Sequence, residues 1–198
     1  MVTFIIGKEA LKFQVHKDFA CHYSPVFRAA FENDRFIEGE TQTYTLVDVK
    51  QGVFHHLVNW LYSQRLDIDL ENLEDEERVE SLRDLVELWV LGDRLFIPAL
   101  QNQAMHLLFS VSKSIDYPTN VLHYIYKNTQ RDSTLRMFMV KDCAYGVGSS
   151  DFRLHQKDYP REMLLEVVEM FMDAIPDDFH DEQFLGMDVK HFEVPEEC

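Results

Sequence analysis

Apolar and polar residues alternate over short runs near the start of the chain, then give way to a three-to-four-residue rhythm. Val2 to Ile6 is a β-branched and aromatic run closed by Gly7. Leu11, Phe13 and Val15 then alternate with Lys12 and Gln14, the pattern of a half-buried strand. The short glycine-containing link between the two runs predicts a hairpin. Thr41 to Leu46 alternates in the same way and predicts a third strand in that sheet. After Gly52 the rhythm is helical, with Val53, Phe54, Leu57, Val58, Leu61 and Tyr62 on one stripe. Leu82 to Leu91 is apolar nearly all round, which predicts a helix buried on most sides. Ile97, Leu100, Ala104, Leu107 and Leu108 form a further stripe, with Pro98 near the helix start, where proline is tolerated. A hairpin followed by helices is an α+β arrangement, a small sheet of about three strands covered by a cluster of helices.

Ser24-Pro25 interrupts a segment that otherwise reads as one helix. Proline lacks the N–H and clashes with the preceding turn, so two short helices meeting at a corner fit better than one broken helix. In that reading Asp18 caps the first, and Ser24 caps the second with Pro25 at its first position. Val26, Phe27, Ala30 and Phe31 make the second helix's buried face.

Past residue 112 the helical order continues. Val121, Leu122, Ile125 and Tyr126 share a stripe, and a second helix starts at Ser133 as cap with Leu135, Phe138 and Met139. A third opens at Pro160 and carries Met163, Leu164, Val167, Val168, Phe171 and Met172 on one face. Packing within the chain is the simplest fate of these stripes, although the methionine-rich one also suits a partner helix. The chain therefore divides into 1–112, a helical extension 113–175, and an acidic tail 176–198 whose composition predicts disorder.

Net charge is −16, but it is local. Asp67 to Glu87 holds ten acids against two bases, Asp173 to Cys198 holds nine against one, and the remainder balances. No basic stripe exists to neutralise phosphates, which argues against nucleic-acid binding. No apolar run approaches the roughly 20 residues of a membrane helix. No basic-then-apolar leader opens the sequence, so neither membrane insertion nor secretion is expected. Cys21, Cys143 and Cys198 have no metal-ligand spacing, and reduced thiols in a cytoplasmic or nuclear protein are the simplest reading.

Other chemistry fails on spacing. Asp67, Asp69 and Glu71 begin like a calcium loop, but Asn72 stands where its glycine is needed and Arg78 where its bidentate Glu belongs. His16, Cys21 and His22 lack a fourth ligand, and His55 and His56 point about 100° apart on a helix. Gly146-Val147-Gly148 follows a helix and has no third glycine, and no nucleophile–base pair stands out around Cys143 or Ser149. No enzyme, cofactor, metal or small-molecule substrate is implied.

The run FQVHKDFACHYSPVFRAAF resembles the signature of the BTB/POZ family, in which a strand ends in His-Lys or His-Arg before a helix and a Ser-Pro-Val-Phe helix follows. His16, Lys17, Ser24, Pro25, Val26 and Phe27 carry that match. FIEGETQTYTLVDV is similar to the family's next strand and its Asp-Val exit. VFHHLVNWLYSQRL is similar to its helix ending in an aliphatic-Tyr-Thr-Gly turn. LWVLGDRLFIPALQNQAMHLL resembles its closing helical pair, with Asp93-Arg94-Leu95 where Asp-Lys-Tyr is common. The segments are most similar in style to stand-alone BTB proteins of fungi.

The resemblance implies the BTB/POZ fold and a protein–protein interaction module: homodimers, heteromers, or docking onto cullin scaffolds of ubiquitin ligases. An adaptor linking a substrate to such a ligase is the most specific expectation. A self-associating or transcription-related scaffold without ligase function is the alternative. The sequence opens on the first core strand, without the segment that dimeric relatives exchange. Lys17 matches the base of the repressor branch's charged pocket, but Val2 and Thr3 leave its acid unmatched. Adaptor members carry an apolar-x-acid motif, whose nearest match before the buried helix is Leu85-x-Glu87, about one helical position out of register. Leu85, Glu87, Tyr62 and Leu66 are the partner-binding residues the resemblance implies.

Overall fold

A computed structural model describes residues 1–68, 70, 73–111 and 119–176, in compact units Met1–Met139 and Val140–Cys198. The first unit is built on a three-stranded sheet in the order β2-β1-β3. β1 (Val2–Ile6) and β2 (Leu11–Val15) pair antiparallel, with Phe4 opposite Phe13. The turn between them needs a left-handed residue, and Gly7 supplies it at φ 71°. β3 (Thr43–Leu46) lies parallel to β1, with Thr3 opposite Thr43. A parallel neighbour requires a crossover. Three short helices supply it: α1 (Lys17–Tyr23), α2 (Pro25–Phe31) and α3 (Ile37–Thr41).

β1 sends Val2, Phe4 and Ile6 inward. Phe4 is the aromatic centre of the core, its ring 4.9 Å from Phe27, 5.1 Å from Phe54 and 5.7 Å from Phe31. α4 (Gln51–Ser63) closes over the sheet with Val53, Phe54, Leu57, Trp60 and Leu61. α5 (Asp75–Arg94) packs on α4, on α6 (Pro98–Val111) and on α7 (Thr119–Asn128). Being covered from several sides is why its second half is apolar all round. The α7 stripe of Val121, Leu122, Ile125 and Tyr126 is buried, so it packs within the chain.

Several expectations need correction. The third strand begins at Thr43, because Thr41 ends α3 and Gln42 turns the chain in the left-handed region at φ 51°. Asp18 is not the cap of α1: His16 holds that position without a side-chain cap, and Asp18 lies in the first turn, where its charge still favours the helix dipole. Val26 is half-buried, not part of the fully buried face of α2. From Asp75 onward the acidic segment forms the first turns of α5. Ser133 precedes α8 (Thr134–Gly146), but its hydroxyl is buried without a hydrogen-bond partner and caps nothing. α7 and the first half of α8 belong to the first compact unit, and the expected boundary at 112/113 lies outside the described residues.

The second unit contains the rest of α8, then α9 (Ser149–His155) and α10 (Arg161–Asp173). Along α10, Met163 is buried and Leu164 and Val167 are half-buried, whereas Val168, Phe171 and Met172 are exposed. Residues 177–198, most of the acidic tail, lie outside the described residues.

Candidate protein-interaction site

The signature residues form one bracing network. Ser24 accepts the Phe27 N–H at 3.2 Å, capping α2, and donates to the Leu95 carbonyl at 2.8 Å. Its buried hydroxyl thus ties the corner before Pro25 to the α5–α6 turn. Lys17 donates to the Phe31 carbonyl at 2.8 Å, joining the start of α1 to the end of α2. Asp93 accepts from Gln101 at 3.2 Å. Arg94 next to it grips Asp48 with two hydrogen bonds of 2.6 and 3.2 Å. That hydrogen bonding holds the Asp48 carboxyl below its ordinary range. Phe27 is fully buried in the core. Ser24, Lys17, Phe27, Asp93 and Arg94 brace the scaffold, whereas the signature residue His16 stands at the surface beside Tyr62.

One exposed aromatic surface, a candidate for recognition, lies where α1 meets the end of α4. The Tyr62 hydroxyl accepts the His16 backbone N–H at 3.0 Å and lies 2.8 Å from His16 Nδ1. The Tyr62 ring packs 4.8 Å from Phe19 and 5.8 Å from the His16 ring, yet all three residues keep exposed surface. Beside this trio is an open cleft of about 360 Å³ lined by His56, Asn59, Tyr62, Ser63, Arg65, Leu66 and Asp67. Gln103 of α6 braces the cleft from behind, accepting the Leu66 N–H and donating to the Gln64 carbonyl. Burial pushes the His56 imidazole below its ordinary value, against the opposing pull of Asp84. An exposed, rigidly held tyrosine beside a mixed cleft is the composition of an interface anchor.

Leu85 and Glu87 are placed otherwise. Leu85 is completely buried in α5 and has no surface to offer a partner. Glu87 is 7% exposed and held by Lys50 at 2.9 Å and Arg83 at 3.0 Å. Asp84 shares Lys50 at 3.3 Å, and its own burial pushes its carboxyl up. The Tyr124 hydroxyl is pushed up to about 12, by burial first and by the Glu87 charge second. Glu87 is therefore an internal ion-pair residue at a helix junction. The helix that the sequence marks as buried leaves both side chains without a free face.

The apolar-x-acid pattern recurs in a different place. Phe36, the residue before α3, is 50% exposed, Ile37 is 69% exposed, and Glu38 follows. Glu38 lies near enough to Tyr44 to add to the burial that raises its hydroxyl. α3 itself is held tightly, because a Cβ on Gly39 would run into the Asn33 carbonyl. Scanning the whole chain for the pattern would have found Phe36-Ile37-Glu38, but its exposure is not legible in the residues. Neither Phe19 nor His56 is legible as part of a recognition surface, since nothing in their spacing marks one.

Among the described residues no cluster of three His, Cys, Asp or Glu side chains could hold a metal ion. No helix there is long and apolar enough to cross a membrane. Asp69 and Glu71 of the calcium-like run lie outside the described residues. A mixed three-stranded sheet clasped by helices, with an exposed aromatic cleft, defines a protein-interaction module. The family model for the BTB/POZ domain matches residues 2–109, and the chain belongs to that family. BTB domains are interaction modules that associate with protein partners. No curated protein matches the chain.

Proposed function

We propose that this BTB protein is an adaptor that docks onto a cullin-type ubiquitin-ligase scaffold, with Phe36 and Ile37 of the α3 region as its apolar anchor. The observation that carries the reading is the apolar-x-acid pattern, characteristic of the family's adaptors, standing exposed at Phe36-Ile37-Glu38. Two large apolar side chains held out on a short, sterically fixed helix contribute little to this fold and supply the desolvated centre that interfaces need. Tyr62, Phe19 and Leu66 add a second contact area at the cleft. Cytoplasmic or nuclear work would keep Cys21 and Cys143 reduced, as both are free here. Calorimetric titration with the N-terminal domain of a BTB-binding cullin tests the reading. Binding at micromolar or tighter affinity, weakened roughly tenfold or more by Phe36→Ala with Ile37→Ala, supports it. Absence of heat and of complex at tens of micromolar removes the ligase role and leaves a module with another protein partner.

A further inference from the structure

β2 is an edge strand whose outer backbone is bare. On the other side of the sheet, the Thr3 and Gly7 N–H groups reach the Gln42 and Leu46 carbonyls, at 2.9 Å each. Odd-numbered residues of β1 therefore face β3, and even-numbered ones face β2 through the pairs Val2–Val15, Phe4–Phe13 and Ile6–Leu11. By alternation, the N–H and C=O groups of Lys12 and Gln14 point off the sheet, as does the His16 N–H. Tyr62 takes the His16 N–H at 3.0 Å, but Lys12 and Gln14 hold no backbone bond on that side among the described residues. The open stretch has fixed ends. Ala10 leaves the strand line in the left-handed region at φ 52°, and Tyr62 closes the edge at His16.

The side chains of β2 are incompletely used as well. On the core face, Phe4 and Ile6 of β1 are fully buried, whereas Phe13 opposite Phe4 is half-buried and Leu11 opposite Ile6 is 36% exposed. On the other face Lys12 and Gln14 are exposed, and Lys12 makes no ion pair among the described residues. Residues 8–17 carry Lys8, Lys12 and Lys17 against Glu9 alone, in a chain of net charge −16.

We infer that the β2 edge takes an extended segment of a protein partner as a fourth strand, antiparallel to β2, in which apolar residues alternate with acidic ones. Its main chain pairs with Lys12 and Gln14. Its apolar residues stand opposite Leu11, Phe13 and Val15 and widen the cover of the core face, while its acids stand opposite Lys12 and Gln14. Charge chooses between occupants. A second β2 centred on Lys12 sets two lysines directly opposite, which is destabilising. Centred on Gln14, it needs Lys12 opposite His16, whose N–H Tyr62 already holds. Centred on Phe13, it leaves both Lys12 side chains diagonal on one face with no acid between them. An acidic strand meets the same lysine with the opposite sign. The edge involves neither Phe36 nor Ile37, so the inference stands apart from the cullin reading.

The probe is a capped Val-Glu-Val-Glu-Val peptide titrated into the full, isotope-labelled chain. Binding is expected at roughly 0.1–1 mM, with the Lys12 and Gln14 amide signals moving and their hydrogen exchange slowing. Gln14→Pro removes an outward N–H and leaves the β1–β2 ladder intact, at an edge position where proline is accepted. It should weaken binding by about tenfold or more. Lys12→Glu should weaken it roughly fivefold and should favour the same peptide with lysine in place of glutamate. Unchanged urea midpoints show that the variants fold, and if Gln14→Pro does not, the charge reversal decides. Unmoved Lys12 and Gln14 amides at millimolar peptide overturn the proposal. So does binding that survives in folded Gln14→Pro or is indifferent to the sign of residue 12. A dimer of the free chain that Gln14→Pro abolishes assigns the edge to a second copy, and overturns it too.

Discussion

Ser24 shows how much one side chain can hold. It is completely buried, and its two hydrogen bonds join the start of α2, at Phe27, to a segment far away in sequence, at Leu95. Ser24→Ala removes the cap and leaves the Leu95 carbonyl unsatisfied, so stability should fall by about 2–3 kcal/mol in urea unfolding. A loss under about 0.5 kcal/mol would mean that water replaces the hydroxyl. Phe96 is the opposite case: 68% exposed, with left-handed backbone at φ 52°. Phe96→Gly relieves that strain and should raise stability by roughly 0.5–1 kcal/mol, read as a shift in the urea midpoint at constant slope. His56 sets a pH dependence. Burial lowers its folded-state value below 6.5, so its contribution is present above about pH 6.5. That contribution is lost as pH falls through the folded value, where the imidazole must charge. Urea midpoints of wild type and His56→Gln should therefore converge on acidification below pH 6.5, and parallel curves would contradict this. Ser24 was legible as a cap from Ser-Pro alone, because capping is local. Its bond to Leu95 was not, since nothing local brings residues 24 and 95 together.

At the scale of elements, period carries information that position does not. The hairpin, α4, the second half of α5, α6 and α7 follow from alternation and helical stripes, because each buries a face against the sheet or its neighbours. The third strand starts two residues later than alternation predicts, because the polar run Thr41-Gln42-Thr43 reads the same as strand or as helix end. α3 is only five residues long, too short for a stripe to announce it, and it carries the exposed Phe36–Ile37 knob at its start. The candidate Leu85-x-Glu87 lacks a free face for a reason the sequence itself carries. It sits in the element whose all-round apolar pattern already marks it as interior. Glu87→Lys should accordingly act on the fold. Setting a cation against Lys50 and Arg83, both partly exposed, should lower stability by about 1–3 kcal/mol. Cullin affinity of the remaining folded protein should stay within about twofold, and a tenfold loss with unchanged stability would return Glu87 to the interface.

At the scale of the whole molecule, the compact unit is larger than the family match. Residues 2–109 are BTB/POZ, but α7 and the beginning of α8 share its compact unit, and α7 from beyond that match packs on α5. Composition could not reveal this, because the stripe Val121, Leu122, Ile125 and Tyr126 fits any apolar surface; α5 turned out to be that surface. The net charge of −16 misleads if read as a property of one face. Glu76 and Glu77 lie in the dipole-favoured first turn of α5, while Asp84 and Glu87 pair with Lys50 and Arg83. Phe36, Ile37, Phe19 and Tyr62, which the proposed function uses, are among the exposed apolar and aromatic side chains. Titration of the chain into a cullin N-terminal domain, wild type beside Phe36→Ala with Ile37→Ala, tests the adaptor reading most directly. The account predicts micromolar or tighter binding for the wild type and a loss of roughly tenfold or more in the variant, with unchanged urea midpoints. Equal affinity of the two proteins, or no binding by the wild type, would contradict it.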